Sequence, residues 1–156
     1  MIETTVTGLP DLKRALADLV PGLRRRVLRN ALAAGARVVR DDAKQRAPVL
    51  QPTLRAPYRT PGTVKKAIVV RTSKVARRRG DVGVFVNVRP ALKGARGAKS
   101  KTDPFYWRFL EFGTRFMAAR PFLQPAAARL GQALAAFTKS LGPAIARLNT
   151  KGTRLP

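Results

Sequence analysis

Between Pro21 and Pro48 the chain runs without another proline, and this span constrains the fold more than any other feature. Pro21 suits the first turn of a helix, and Pro48 disfavours helix at the residue before it. The pattern predicts one helix from Pro21 to Ala47, the longest element of the chain. At about 100° per residue, Val27, Ala31, Gly35, Val38 and Asp42 fall on one side, flanked by Leu28, Ala34 and Val39. Arg26, Arg29, Arg37, Arg40 and Lys44 fall on the opposite side. Gly35 lowers helix propensity but lets another backbone come close to the apolar stripe. The basic stripe reads either as a solvated face or as a surface for DNA or another acidic partner. Asp41 is spaced for an ion pair with Arg37 one turn away.

Charge narrows the partners. The chain carries 32 Lys and Arg against 8 Asp and Glu, a net charge of +24. Such an excess implies a polyanion nearby, most commonly nucleic acid. An acidic membrane, an acidic protein or simply a basic proteome would also account for it. A length of 156 residues fits one domain, expected over 1–148, with 149–156 as a frayed tail. There is no Cys, so no disulfide framework or thiolate metal site is expected. There is no His, which removes the usual general base and zinc ligand. No apolar run reaches the ~18–20 residues that span a bilayer, so no membrane partner is expected. The opening Met1-Ile2-Glu3-Thr4-Thr5 is acidic and polar, unlike a signal peptide, and points to a cytoplasm or a particle assembled there.

The remaining elements follow from pattern. Residues 2–7 alternate and are β-branched, predicting a short strand; Asp11 is placed to cap a helix through Val20. Residues 48–63, with Pro48, Pro52, Pro57 and Pro61, read as an extended loop. Val64–Ser73 reads as a strand, Arg77–Asp81 as a hairpin connection, and Val82–Val88 as a half-buried antiparallel strand with its valines on one face. Residues 89–103 lack periodicity and carry Arg89, Lys93, Arg96, Lys99 and Lys101, a mobile basic loop by composition. Phe105–Phe112 reads as a further strand. Pro121 or Pro125 opens a C-terminal helix whose buried stripe is Ala126, Leu130, Ala133, Leu134, Phe137 and Leu141, ending at Gly142-Pro143. The expected fold class is α+β: an antiparallel sheet of three to four strands with a long N-terminal and a C-terminal helix packed on it.

The catalytic inventory is thin. Ser73, Ser100 and Ser140 have no histidine to activate them, and no phosphate-cradling Gly-Lys-Ser/Thr motif is present. Asp41 and Asp42 diverge by about 100° on a helix and do not readily share a metal. No catalytic residue, metal ligand or cofactor site is assigned, and the chain is not expected to be an enzyme.

Residues 104–128 hold the only Trp and five of the seven Phe. Phe105, Tyr106, Trp107, Phe109, Phe112 and Phe116 are expected in core and interface rather than stacked on bases. Glu111, the one acid among them, reads as an ion-pair partner. Gly113 is expected to turn the chain with a backbone angle other residues resist. Arg120, Pro121 and Phe122 follow as packing residues.

Three groups of residues then resemble a known family. They are Gly8-Leu9 with the long helix to Ala43-Lys44-Gln45-Arg46-Ala47-Pro48, then Phe105-Tyr106-Trp107 with Leu110-Glu111-Phe112-Gly113-Thr114, then Ala119-Arg120-Pro121-Phe122-Leu123-Gln124-Pro125-Ala126. In this order, over roughly residues 6–138, they resemble the lambdoid phage neck and tail-completion family, the gene-product-ten-like and minor tail protein Z-like head–tail joining proteins. One departure is visible: the Thr-Gly turn usual after the Ala-Pro is missing, and the first glycine comes at Gly62. The resemblance implies a structural virion protein of a long-tailed phage, assembled in the host cytoplasm. It implies a homo-oligomeric ring, a hexamer, between head-closure and tail-tube or tail-terminator proteins. Double-stranded DNA would pass without sequence preference along Arg26, Arg29, Arg37, Arg40, Lys44 and the 89–103 loop, while residues 105–122 would serve assembly. A free, sequence-independent nucleic-acid-binding protein is the competing reading.

Overall fold

The structure is a computed structural model that describes residues 21–49 and 60–152, together with Arg14 and Ala17. Its axis is the expected long helix, α1, Pro21–Arg46. Then follow a helical turn α2 (Thr63–Ala67), strand β1 (Ile68–Thr72), helix α3 (Lys74–Arg78), strand β2 (Val84–Val88) and helices α4 (Trp107–Phe112), α5 (Leu123–Ala127) and α6 (Leu130–Gly152). The class is α+β, with both long helices where the sequence placed them.

The sheet is smaller than expected. Among the described residues it has two antiparallel strands, β1 and β2, not three to four. They pair in the register Ile68↔Val88, Val70↔Val86, Thr72↔Val84. Val88 is buried and Phe85 exposed, the half-buried alternation read from the sequence. The expected strand 64–73 splits, its first residues winding into α2. The connection Arg77–Asp81 is broader than a tight turn. Ser73 caps α3 by accepting from the Ala76 amide at 3.2 Å, and Gly80 leaves the helix at φ 84°. The expected strand 2–7 lies outside the described residues; of the expected helix 11–20, Arg14 and Ala17 are described and helical.

The expected strand Phe105–Phe112 is helix α4. Its aromatics favour strands by propensity, but its burial follows a helical period: Tyr106, Trp107 and Leu110 pack on the core while Phe109 and Phe112 face out. The C-terminal helix also differs from expectation. A short α5 precedes α6, Leu130 is 68% exposed, and Gly142-Pro143 does not end α6, which runs to Gly152. A proline inside a helix costs about 3 kcal/mol. Here Leu141 and Ile145, buried on either side of Pro143, pack with Val27 and Ala31 of α1, and that burial offsets the local cost.

Two clusters share α1 as a wall. One joins Val27 and Ala31 to Leu141 and Ile145; the other joins Ala43 and Ala47 to Val64, Ile68, Val88, Phe122 and Ala126. Between them α1 and α6 cross closely at Gly35, where a Cβ would lie 2.6 Å from the Ala133 carbonyl oxygen. Asp42 adds a polar tie. Its carboxylate accepts from Arg46 one turn on and from Arg129 Nε at 3.2 Å. The Arg46 hydrogen bond is the main reason that the Asp42 carboxyl lies below its ordinary value; burial opposes it, and the Arg129 hydrogen bond adds to the lowering. The same Arg46–Asp42 pair raises Arg46. Asp41 pairs with neighbouring Arg40 at 2.8 Å rather than with Arg37.

Two outcomes follow. Gly35→Ala should lower stability by about 1–3 kcal/mol in urea unfolding, although alanine is the better helix former, because the added methyl meets backbone that cannot swing away. Because the folded Asp42 pKa is depressed, its contribution is present above the unfolded carboxyl pKa and lost as pH falls through the folded one. Wild type should therefore lose part of its stability advantage over Asp42→Asn on acidification below about pH 4, read from paired thermal melts.

Candidate nucleic-acid and assembly surfaces

The basic stripe of α1 does not face open solvent along its whole length. Arg29, Arg37, Arg40 and Lys44 line one side of a groove of about 360 Å³ whose other side is β1, including Arg71. Arg71 also lines a second cavity, of about 510 Å³, with Lys66, Arg89, Lys93 and Arg96. The two grooves, lined by basic groups distant in sequence, share Arg71 as a lining residue and are together termed the basic track. Arg26, Lys99 and Lys101 are exposed but line neither groove. Arg40 is partly neutralised by Asp41.

Sequence reasoning missed Arg71 and Lys66. Strand pairing held the signal: Ile68 opposite Val88 brings Ala67 beside Arg89, whose amide donates to the Ala67 carbonyl at 2.8 Å. That register sets the basic loop against the edge carrying Lys66 and Arg71.

The loop 89–103 is a folded turn rather than a featureless arm. Asp103, 3% exposed, accepts from the Ala91 amide at 3.1 Å and the Gly97 amide at 2.7 Å. Arg96 Nε donates to the Ala91 carbonyl at 3.0 Å, and Ser100 Oγ accepts from the Asp103 amide at 3.1 Å. One buried carboxylate gathers the loop and holds its cations outward. Composition predicts a mobile loop; the internal acceptor at Asp103 is a feature that composition does not register.

In residues 105–122 the structure separates core from surface. Among the described residues Glu111 has no ion-pair partner. Its buried carboxylate accepts three backbone N–H groups, from Phe122 at 2.9 Å, Leu123 at 3.0 Å and Gln124 at 2.8 Å. These are the unpaired amides at the start of α5, and a carboxylate there satisfies them and suits the helix dipole. The Arg120 amide donates to the Leu110 carbonyl at 2.7 Å, tying the same two segments. Gly113 has φ 74°, and a Cβ there would lie 2.9 Å from the Ala119 nitrogen, so the turn out of α4 requires glycine. Phe122 is fully buried; Tyr106 and Trp107 are half-buried against the same cluster. Pro121 and Arg120 are exposed. Phe105 stacks edge-on against Tyr106 at 5.7 Å, and Phe112 is 74% exposed. Phe109 and Phe116 are exposed too, with the Arg115 guanidinium 4.4 Å from the Phe116 ring centroid.

Among the described residues no three His, Cys, Asp or Glu gather to hold a metal, and no helix is long and apolar enough to cross a membrane. What the surface presents is two basic grooves and a row of exposed aromatics. The model of the HK97-gp10-like family, described as "Bacteriophage HK97-gp10, putative tail-component", matches residues 11–113, and the chain belongs to this family. The match spans α1 through α4 and ends at Gly113, so the Glu111 cap joins a segment inside it to one beyond. Comparison with curated proteins finds no match, and neither does comparison with solved structures.

Phe122→Ala should lose about 3–5 kcal/mol of stability, and Glu111→Ala about 2–4, by leaving buried amides unpaired. Phe112→Ala should stay within about 0.5 kcal/mol of wild type. Urea unfolding of the three variants checks the division; equal losses at all three positions would contradict it.

Proposed function

We propose that this chain is a ring-forming subunit of the head–tail junction of a long-tailed phage, non-enzymatic, with its basic track toward the DNA channel. The observation that carries the reading is that the basic groove along α1 and the basic groove along the 89–103 loop share Arg71. Duplex DNA carries a charge about every 1.7 Å of axis, and a fixed positive lining offsets it without reading sequence. Arg29, Arg37, Lys44, Arg71, Arg89 and Lys93 would form such a lining from helix, strand and a loop gathered on Asp103. The family's tail-component description supports a virion location and partners among other virion proteins. The neck position, the hexameric ring and assembly in the host cytoplasm belong to this reading. Charge alone also suits a free nucleic-acid-binding protein; the exposed aromatic ridge, which such a protein does not need, favours the subunit.

DNA binding by the purified chain should be independent of sequence and weaken by about 0.9 log units per log unit of salt for each phosphate neutralised. Arg71→Ala and Arg37→Ala should each reduce that slope by about one phosphate, whereas Arg26→Ala should change it less. A salt-insensitive affinity, or strong preference for one sequence, would contradict the channel role. Native mass measurement distinguishes the readings further: a closed ring of 17.0 kDa chains supports the junction subunit, and monomers saturating along DNA support the alternative.

A further inference from the structure

Three large aromatics stand out from the surface within eight residues: Phe109 is 48% exposed, Phe112 74% and Phe116 84%. Single exposed apolar side chains need no explanation, but a clustered set marks a binding surface. Phe109 and Phe112, three apart on α4, share a face, and Phe116 heads the turn that follows. We propose that this ridge, with Arg108 and Arg115, docks a protein of a different kind through an apolar cleft rimmed by Asp and Glu.

The ridge is held in shape. Glu111, between Phe109 and Phe112, is fixed by three amide hydrogen bonds. Gly113 is wedged against the Ala119 backbone, and Thr114 and Met117 close the Phe116 turn by two backbone hydrogen bonds. The aromatics are therefore offered with little further ordering, which favours affinity. Aromatic residues and arginine are also the side chains that most often dominate interface energies.

Charge selects the partner. From Pro104 to Arg129 the only acid is Glu111, and its carboxylate is committed to the α5 amides. Arg108, Arg115 and Arg120 surround the ridge with no acidic counterpart from the same segment. A second copy has an apolar groove of about 400 Å³ between α1, β2 and α6, lined by Val39, Phe85 and Phe137. Among the described residues no Asp or Glu lines that groove. Seating the ridge there would bring Arg108 and Arg115 to a surface without an acid in its lining, on a chain of net charge +24. An acid-rimmed cleft on another protein supplies what that surface lacks. Nucleic acid would fit arginine and stacked rings, but none of these residues lines the basic track.

The proposal rests on the reading that the chain works inside an assembled particle. The test replaces Phe112 or Phe116 with the photocrosslinking residue p-benzoylphenylalanine in cells producing the particle, and maps the crosslinked site by mass spectrometry. The expected result is a crosslink to a different protein, at an apolar segment with Asp or Glu beside it. Phe112→Ala with Phe116→Ala should then weaken binding to that purified protein at least about thirtyfold. Arg115→Glu should weaken it also, and a Lys in place of the contacted acid should restore it. The salt slope for DNA should be unchanged in these variants, and their melts should match wild type. Crosslinks to a second copy, to DNA or to nothing in particles that contain the chain would overturn the docking surface and leave the junction reading standing. Absence of the chain from particles would overturn both.

Discussion

Small residues on α1 are the constraint from which the rest follows. Ala31, Gly35 and Ala43 are buried along the helix and Ala47 just past its end, and at Gly35 no room remains for a methyl group. A helix walled by alanine and glycine lets its neighbours come close, so α6, the hairpin and α4–α5 all share one axis. With the small residues turned inward, the arginines of the opposite face border β1. The groove containing Arg37, Lys44 and Arg71 is a by-product of that packing rather than a separate invention.

Such a basic chain folds only if its few acids are well used. Asp103 gathers the basic loop, Glu111 caps α5, Asp42 ties α1 to the start of α6, and Asp41 holds Arg40. Two of these carboxylates are buried on backbone amides and so neutralise no side-chain cation. Structure is thus gained at the expense of surface charge balance. The positive field that remains has no internal answer, which is the physical case for an external polyanion. Sequence composition alone shows that the acids cannot cancel the excess; the hydrogen bonds show that two of them are turned to backbone amides.

What was legible from sequence depended on range. The long helix followed from two prolines and a clear apolar stripe, and the alternation of Val84, Val86 and Val88 survived as β2. Gly35 and Gly113 both proved to be sites of close backbone approach. Propensity misled at α4, where aromatic content outweighed a helical period visible at Tyr106, Trp107 and Leu110. It misled again at Pro143, where burial of Leu141 and Ile145 carries the helix past its break. Both errors have one cause: tertiary burial overrode a local preference worth a few kcal/mol at most. That the two basic grooves share Arg71 needed strand register, which no single segment carries. Phe122 and Phe112, grouped together by sequence, differ wholly in burial.

That last distinction bears on how such a subunit can change over time. Phe122 sits in a cluster with Ile68, Val88 and Ala126, so its replacement disturbs everything that α1 organises. Phe112 and Phe116 touch solvent, so their replacement leaves the fold intact and would alter only the proposed docking. Glu111 links the two regimes: it lies on the exposed helix yet holds the buried segment in place. The ridge can therefore be retuned to a new neighbour residue by residue, provided that carboxylate and the glycine after Phe112 stay. The basic track has the same freedom, since no single cation on it supports the core. Fold and recognition are separable in this chain because one buried carboxylate, rather than the recognition residues themselves, fixes the geometry of the ridge.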